Sequence, residues 1–504
     1  MKLNYWLWET SASQATDHKN LLFSILIIFA LGAFHLSTIR QGHDWGDDFG
    51  MYINHARNIV EGRPYADTGY IYNPRYVIGP KTYPPVFPLL LAPVYKLMGL
   101  NLTAMKVEII LIFMISLYTM YLSFRNELPW PYLPILIALV GFNPQFWLFK
   151  DSIVSDLPFL LFTYLSFFLI HNSHRVSRSM LRRLIYALLI AISHYLAYGT
   201  RSIGLILIPC TFIYYLLKNK KLDVLSGLIL LMAIAFVFIQ SGTSHSISAY
   251  TDHFGFNIFN IMASMSFELT RHVSLFFANG YSNFFGLALF AVLLMLSVTG
   301  FITRLGEKNI TCFELFVPFY LGPLIVLPIQ LELRFAMPLI PLFIFYSFIG
   351  IKAISCIAAR RQRRVERLIF AGVSIAVLAS YAGQYTRLNY GPIRNGISTN
   401  EVQQLFDYIK QETGENDVII FRKPRALSLF TERPAAVWHI PMEDKELFDF
   451  FKGIKASYLI VGPLYVEPWD QQFILNFIDR NRERFAETYT NADFRVYRIV
   501  NGTT

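Results

Sequence analysis

Few residues in this 504-residue chain can do chemistry, because 54% of it is hydrophobic and only 15% is charged. Those that can are gathered in two short stretches. The first reads His43-Asp44-Trp45-Gly46-Asp47-Asp48-Phe49-Gly50-Met51-Tyr52 and continues through His55 and Arg57 to Arg63-Pro64-Tyr65. The second reads Lys150-Asp151-Ser152-Ile153-Val154-Ser155-Asp156-Leu157-Pro158. Carboxylates such as Asp47, Asp48 and Asp156 can take a proton from a hydroxyl, and nearby cations can hold an anionic head group. Three candidate cations are Lys81 (ahead of Tyr83-Pro84-Pro85), Arg201 and Arg334. Each residue also has a plainer role. Asp48 opens a helical pattern with Met51, Tyr52, Ile53, Ala56, Ile59 and Val60, where an aspartate caps free N–H groups and suits the helix dipole. Ser155 or Asp156 can likewise cap a helix ahead of Pro158, and a single cation at a helix end is an ordinary solvated charge. For Asp48 both roles can hold together, since a cap fixes a carboxylate in place.

The elements that position these residues are apolar runs of roughly 17 to 22 residues, long enough to cross a hydrocarbon core as helix. They fall near 20–38, 103–123, 131–149, 154–170, 184–199, 203–217, 222–240, 281–301, 312–330, 335–351 and 367–384. Such a chain is neither a soluble enzyme nor a disordered segment nor a secreted disulfide scaffold. The first run is long and lacks a small-residue cleavage site at Gln41-Gly42-His43, which favours a retained anchor. Eleven crossings put the two ends of the chain on opposite sides. With the N-terminus inside, the inner loops collect Arg125, Arg182, Arg183, Lys218, Arg304, Lys352 and the arginines of 360–367. The outer loops hold Lys150, Arg201, Arg271 and Arg334. This is the positive-inside pattern, so much of the net charge of +10 is a topology signal and nucleic acid is not an expected partner. Cys210, Cys312 and Cys356 sit in or beside apolar runs as packing residues.

Outside then lie residues 39–102, a loop at 241–280, and a tail of ordinary α/β composition. The expected domains are a membrane unit, 1–385, and a soluble extracytoplasmic α/β domain, 386–504, with strands at 417–421, 435–439, 458–461 and 494–500 and helices at 400–412 and 467–480. The pattern from Asp48 onward predicts a short amphipathic helix lying on the membrane. In the tail, Arg422-Lys423-Pro424-Arg425 reads as an exposed turn and Trp438 as a core aromatic.

The string Asp48-x3-Tyr52-x4-Arg57-x4-Gly62 with Pro64-Tyr65, followed by Tyr83-Pro84-Pro85, resembles the first outer loop of the GT-C superfamily of polytopic glycosyltransferases. Within it, bacterial relatives of the protein O-mannosyltransferases and the lipid A aminoarabinose transferase are most similar. Glu332-x-Arg334-Phe335-x2-Pro338-x2-Pro341 resembles their late-helix Arg–Pro–Pro pattern, and Arg201-Ser202-x-Gly204 an arginine-containing turn between middle helices. The resemblance spans roughly 20–385. It implies a polytopic α-helical membrane protein with about 11 transmembrane helices, juxtamembrane helices in the first outer loop and a C-terminal extracytoplasmic α/β domain. It also implies a catalytic aspartate in that loop. Spacing to Tyr52 and Arg57 favours Asp48, but Phe49 replaces the usual acidic neighbour, which leaves Asp47 and Asp48 both open. Asp156 matches the second acidic position, and Lys81 lies near a phosphate-binding lysine of some members, with Thr82 and Tyr83 intervening.

The expected partner is a polyprenyl-phosphate-linked sugar, with a lipid, glycan or protein acceptor and surrounding membrane lipids. Its leaving phosphate is stable as an anion, so no general acid is needed, unlike a typical glycosidase. Asp48 or Asp47 takes the acceptor proton, Lys81, Arg201, Arg334 and Arg57 are candidates for the phosphate, and Asp156 orients acceptor or sugar. Tyr52, Tyr83 and His55 are expected at the acceptor or sugar, and in-line attack inverts the anomeric centre. The expected place is a multi-pass cell (inner) membrane with the N-terminus cytoplasmic and the tail periplasmic or extracellular. No cofactor is required; the alternative is a divalent metal on His43, Asp44, Asp47, Asp48 and His55, although their spacing matches no standard ligand set. The competing function is a transporter or lipid flippase. Carriers place ionisable groups at mid-membrane, where His194 is the main candidate in the helices here.

Overall fold

The computed structural model describes residues 14–73, 81–173, 179–220, 224–241, 284–307, 310–326, 333–358, 362–438, 443–463, 465–466 and 468–500. All but the first residue of the loop 241–280, Glu332 and part of the 360–367 arginine cluster lie outside the described residues.

The first half of the chain is helical: α1 Gln14–Ser37, α2 Asp48–Glu61, α3 Val86–Met98, α4 Leu102–Phe124, α5 Tyr132–Gly141, α6 Pro144–Phe149, α7 Asp156–Ser173, α8 Met180–Thr200, α9 Leu207–Asn219 and α10 Val224–Ser241. After the gap come α11 Phe284–Gly306, α12 Cys312–Val326, a 3-10 turn Leu333–Leu339, α13 Ile340–Ala358 and α14 Gln362–Tyr385. Among the described residues, seven helices are long and apolar enough to span a membrane: Asp17–Ser37, Leu102–Phe124, Met180–Thr200, Ser202–Asn219, Phe284–Gly306, Arg334–Cys356 and Arg364–Tyr385. The protein is therefore membrane-embedded. Four further apolar helices are shorter, among them Tyr132–Gly141 and Cys312–Val326.

The run expected at 131–149 is interrupted for a local reason. Asn143 precedes Pro144, whose ring disfavours helical geometry at the residue before it, and Asn143 is extended at φ −63°, ψ 125°. Its side chain then accepts the Gln145 N–H and starts α6 afresh. Lipid offers no hydrophobic drive between helices, so close packing of small residues has to hold them. Gly300 of α11 and Gly350 of α13 do this: a Cβ on either would stand 2.0 Å or less from a backbone oxygen of the facing helix. His194 is buried in α8 with its Nε2 3.1 Å from the Thr211 hydroxyl, a packing role.

After α14 the chain forms α15 Asn400–Glu412, β1 Val418–Ile420, α16 Pro424–Thr431, β2 Ala435–Ala436, α17 Asp444–Gly453, β3 Ala456–Val461, α18 Pro468–Arg480, β4 Phe485–Thr490 and β5 Arg495–Ile499. The sheet order is β2-β1-β3-β5-β4, parallel across the first three strands and antiparallel across the last two pairs. Strand β4 was not expected: Phe-Ala-Glu-Thr-Tyr-Thr is mostly exposed and carries too few apolar residues to reveal itself. Helix α16 overturns the exposed turn expected at 422–425. Pro424 takes the first helical position, where its missing N–H costs nothing, and Arg425 is buried. Trp438 is a core residue, its indole N–H donating to Asp470 at 2.7 Å.

The α/β unit is stitched onto the first outer segment by backbone pairs. Ile71 N–H donates to Ala435 O at 2.8 Å and Ala435 N–H to Gly69 O at 2.9 Å, which covers the free edge of β2. Ile393 and Ile397 donate to Gln41 and His43 carbonyls at 2.9 and 3.0 Å. The near side of that segment is anchored to the bundle. Lys106 donates to the Arg40 and Gly42 carbonyls, and Arg40 and Lys150 both meet Asp151 at 2.7 Å. The apolar face of helix α2 is thus covered by protein. Its residues Phe49 to Ala56 are buried, between α3 on one side and α16 on the other.

Candidate active site

The two adjacent aspartates at the start of α2 face different partners. Asp47 is the N-cap residue, yet its side chain makes no capping bond to its own helix. Its Oδ1 instead accepts the backbone N–H groups of Arg425 and Ala426, both at 3.0 Å, and so caps α16 of the α/β unit. An anion at a helix N-terminus is favourable on dipole and hydrogen-bond grounds together. Asp48, one residue on, points to the membrane unit. Its Oδ2 accepts from Arg334 Nη2 at 2.6 Å, and its Oδ1 accepts from the Tyr83 hydroxyl at 2.5 Å and from Arg425 Nη1 at 3.2 Å. Of the three expected carboxylates Asp48 is the most open, its side chain 23% exposed against 17% for Asp47 and 3% for Asp156.

Asp156 begins α7 and is ion-paired to Arg201, which follows α8. Arg334 lies between the two acids, with Nη1 3.7 Å from Asp156 and Nη2 on Asp48. Phe335 supports both cations: the Arg201 guanidinium sits 4.3 Å from its ring centre and that of Arg334 5.7 Å. The result is a chain of alternating charge, Asp47–Arg425–Asp48–Arg334–Asp156–Arg201, drawn from five separate parts of the sequence.

Tyr83 is held at every polar atom. Its N–H donates to His55 Nε2 at 3.2 Å, its carbonyl accepts from the Tyr65 hydroxyl at 2.9 Å, and its ring stacks on Tyr52 at 4.5 Å. Its own hydroxyl is thereby fixed on Asp48. His55 is fully buried, stacked on Tyr65, with Nδ1 2.8 Å from the Tyr65 carbonyl. Since Nε2 accepts, Nδ1 carries the proton and the ring is neutral, and burial lowers its pKa to about 4. Burial also pushes the Asp48 carboxyl up, but Arg334, Arg425 and the Tyr83 hydroxyl outweigh it and hold the group well below the usual carboxylate range. Asp48 is consequently ionised throughout the physiological range.

Of the residues expected at a site, Asp47, Asp48, Asp156, Arg201, Arg334, Tyr52 and Tyr83 converge. Tyr52 reaches it through its hydroxyl, 2.9 Å from Ser155 Oγ, the neighbour of Asp156. His55 stands behind Tyr83 and supports it. Arg57 points elsewhere, paired with Glu61 at 3.0 Å and Glu432 at 2.7 Å. Lys81 is exposed. The residue that sequence reasoning missed is Arg425; a proline at a helix start followed by Ala-Leu-Ser-Leu-Phe was the signal that Arg-Lys-Pro-Arg opens a helix. Among the described residues no three His, Cys, Asp or Glu side chains form a group able to hold a metal ion. Of the five residues weighed as an alternative metal set, His43 is turned to the main chain, its Nε2 accepting the Ile153 N–H at 3.1 Å.

No protein-family model and no curated protein matches this chain. Solved structures do match its fold. ArnT from Cupriavidus metallidurans bound to undecaprenyl phosphate aligns over 94% of this chain and 97% of its own, at 11% identity and a TM-score of 0.56. The oligosaccharyltransferase AglB from Archaeoglobus fulgidus, in complex with an inhibitory peptide and a dolichol-phosphate, aligns over 94% of this chain and 74% of its own, at 10% identity and a TM-score of 0.57. The same archaeon's oligosaccharyltransferase in complex with Zn and sulfate aligns over 87% and 68%, at 10% identity and a TM-score of 0.55. The chain therefore has the fold of GT-C membrane glycosyltransferases.

Proposed function

We propose that this protein is an inverting glycosyltransferase that moves a hexosyl or pentosyl group from a polyprenyl-phosphate donor to an acceptor hydroxyl. The observation that carries the reading is Asp48: an ionised, partly open carboxylate fixed by Tyr83 and flanked by Arg334, on the side of the helix bundle where α8 finishes. A fold shared with proteins solved with undecaprenyl phosphate and dolichol-phosphate supports a lipid phosphate as donor. By the distribution of basic residues, the N-terminus is cytoplasmic and the α/β unit, 386–504, lies on the periplasmic or extracellular side of the inner membrane.

In this mechanism the acceptor oxygen attacks the anomeric carbon on the face opposite the phosphate. The new C–O bond forms as the bond to the phosphate oxygen breaks, and that oxygen keeps the electron pair. The donor phosphodiester, with one negative charge, leaves as a polyprenyl phosphate with two. The acceptor proton passes to Asp48, so charge and atoms balance. A weak base suffices, because the attacking hydroxyl becomes strongly acidic only as its bond to carbon forms. Arg334 and Arg201 are the cations placed to meet the departing phosphate, and Asp156 orients Arg201 and Arg334. The reading requires no metal. A dication beside Asp48 would stand against the Arg334 and Arg425 guanidiniums, which already occupy both of its carboxylate oxygens.

Mass spectrometry of cell-envelope glycolipids and glycoproteins, with and without the protein, tests the reading. The expected result is the loss of one sugar from one acceptor class and its return with the wild-type chain. An unchanged glycan inventory would overturn it.

A further inference from the structure

The donor phosphate gains one negative charge during the proposed reaction while Asp48 loses one. Whatever cations neutralise Asp48 at rest are therefore those released next to the leaving group. Arg334 is one. The other, Arg425, belongs to the α/β unit rather than to the membrane helices, and its side chain is only 5% exposed.

Arg425 is more than a docking residue. Docking has other carriers: the Arg425 and Ala426 N–H groups on Asp47, the pairing of Gly69–Ile71 with Ala435, and the Arg57–Glu432 ion pair. The guanidinium itself reaches past Asp47, from which Nε is 3.7 Å away, and places Nη1 on Asp48 and on the Tyr83 hydroxyl at 3.2 and 3.0 Å. It lies over the rings of Tyr70 and Tyr83, 4.7 and 5.3 Å from their centres, which fixes its plane. Its Nε and Nη2 are buried and have no hydrogen-bond partner among the described residues. Buried guanidinium donors without partners are costly, and two of them on one side chain beside the Asp48 carboxylate point to a ligand that is anionic and oxygen-rich. A phosphate with several acceptor oxygens matches a fork-shaped donor.

We propose that Arg425 is a substrate-binding residue: with Arg334 it grips the donor's phosphate, so the α/β unit completes the active site. This deepens the glycosyl-transfer reading and rests on it. At rest both guanidiniums hold Asp48. As the acceptor proton reaches Asp48 and the phosphate takes up its second charge, both shift their bonds to the phosphate oxygens. No further reactant is needed.

The test uses the full chain in lipid nanodiscs, with polyprenyl monophosphate as probe and the corresponding polyprenol as the phosphate-free control. Arg425→Gln is expected to weaken binding of the phosphate about ten- to hundred-fold while polyprenol uptake stays at the wild-type level. Arg425→Lys, which keeps the charge but loses the fork, is expected to weaken it about three- to ten-fold and decides the matter if the glutamine variant does not fold. Wild-type affinity for the phosphate in both variants would overturn the role of Arg425. Equal loss of phosphate and polyprenol binding would overturn it too, as a purely structural effect. A wild-type protein that does not distinguish polyprenyl phosphate from polyprenol would overturn the glycosyl-transfer reading itself.

Discussion

A single methyl group added at Gly50 tests whether the site depends on the contact between α2 and α16. A Cβ built there would lie 2.6 Å from the Arg425 carbonyl oxygen, 2.7 Å from its carbon and 2.8 Å from the Ala426 nitrogen. All three are main-chain atoms and cannot turn aside, so one helix must retreat by about 0.8 Å to reach ordinary contact. That shift stretches the two 3.0 Å bonds to Asp47 and the 3.2 Å contact of Arg425 with Asp48 beyond useful hydrogen-bond range. Helix propensity alone favours alanine over glycine by at most about 1 kcal/mol. Overpacking costs about 1–3 kcal/mol, and each charge-assisted bond to Asp47 contributes about 1.5–3 kcal/mol. The balance is a loss of at least about 3 kcal/mol in docking, on the order of a hundred-fold shift or more toward the undocked state. Gly50→Ala should therefore lower the thermal midpoint in detergent, expose the 386–399 connection to protease and slow sugar transfer. Gly227→Ala, whose Cβ would meet nothing within 4 Å, is the propensity control and should be neutral or slightly stabilising. A Gly50→Ala protein with a raised midpoint and an unchanged transfer rate would refute the reasoning.

Two further outcomes follow from the same geometry. Asp47→Ala should destabilise docking by about 2–4 kcal/mol, because it leaves two N–H groups at the start of α16 without an acceptor, whereas Asp47→Asn keeps an acceptor oxygen and should cost about 1 kcal/mol; protease sensitivity of residues 386–399 reads the difference. His55 is neutral in the fold with its pKa lowered from 6.5 to about 4, so the unfolded chain binds the extra proton first. The stability it contributes is complete above pH 6.5 and is lost as pH falls from 6.5 to 4, by about 3 kcal/mol in all, and His55→Gln should flatten that part of the melting-temperature profile relative to wild type.

Much of the membrane architecture was legible in the sequence because lipid demands long apolar helices, and composition alone exposes them. Where it failed, at 131–149, a proline overrode hydrophobicity. For α2 the limit was a different one. Its apolar stripe was visible, but what covers that stripe is α16, more than 360 residues away in the chain, and an amphipathic pattern does not say whether protein or lipid lies against it. The adjacent pair Asp47 and Asp48 could not be separated by spacing. They are separated by direction, one residue of helical rotation turning Asp47 to the α/β unit and Asp48 to Arg334. Arg425 was hidden because its place beside Asp48 depends on docking, and backbone pairing between 69–71 and β2 leaves no side-chain signature.

The proposed roles are Asp48 as the base and Arg334 and Arg425 as cations shared between it and the phosphate. Single-turnover transfer from a radiolabelled polyprenyl-phosphate sugar by Asp48→Asn, measured beside lipid-phosphate affinity, tests both halves at once. Loss of the base should slow transfer by about 10²–10⁴-fold. Because the substitution removes the carboxylate that competes for the two guanidiniums, affinity for polyprenyl phosphate should be equal to wild type or tighter. Transfer at the wild-type rate, or loss of phosphate affinity in the same variant, would contradict the account.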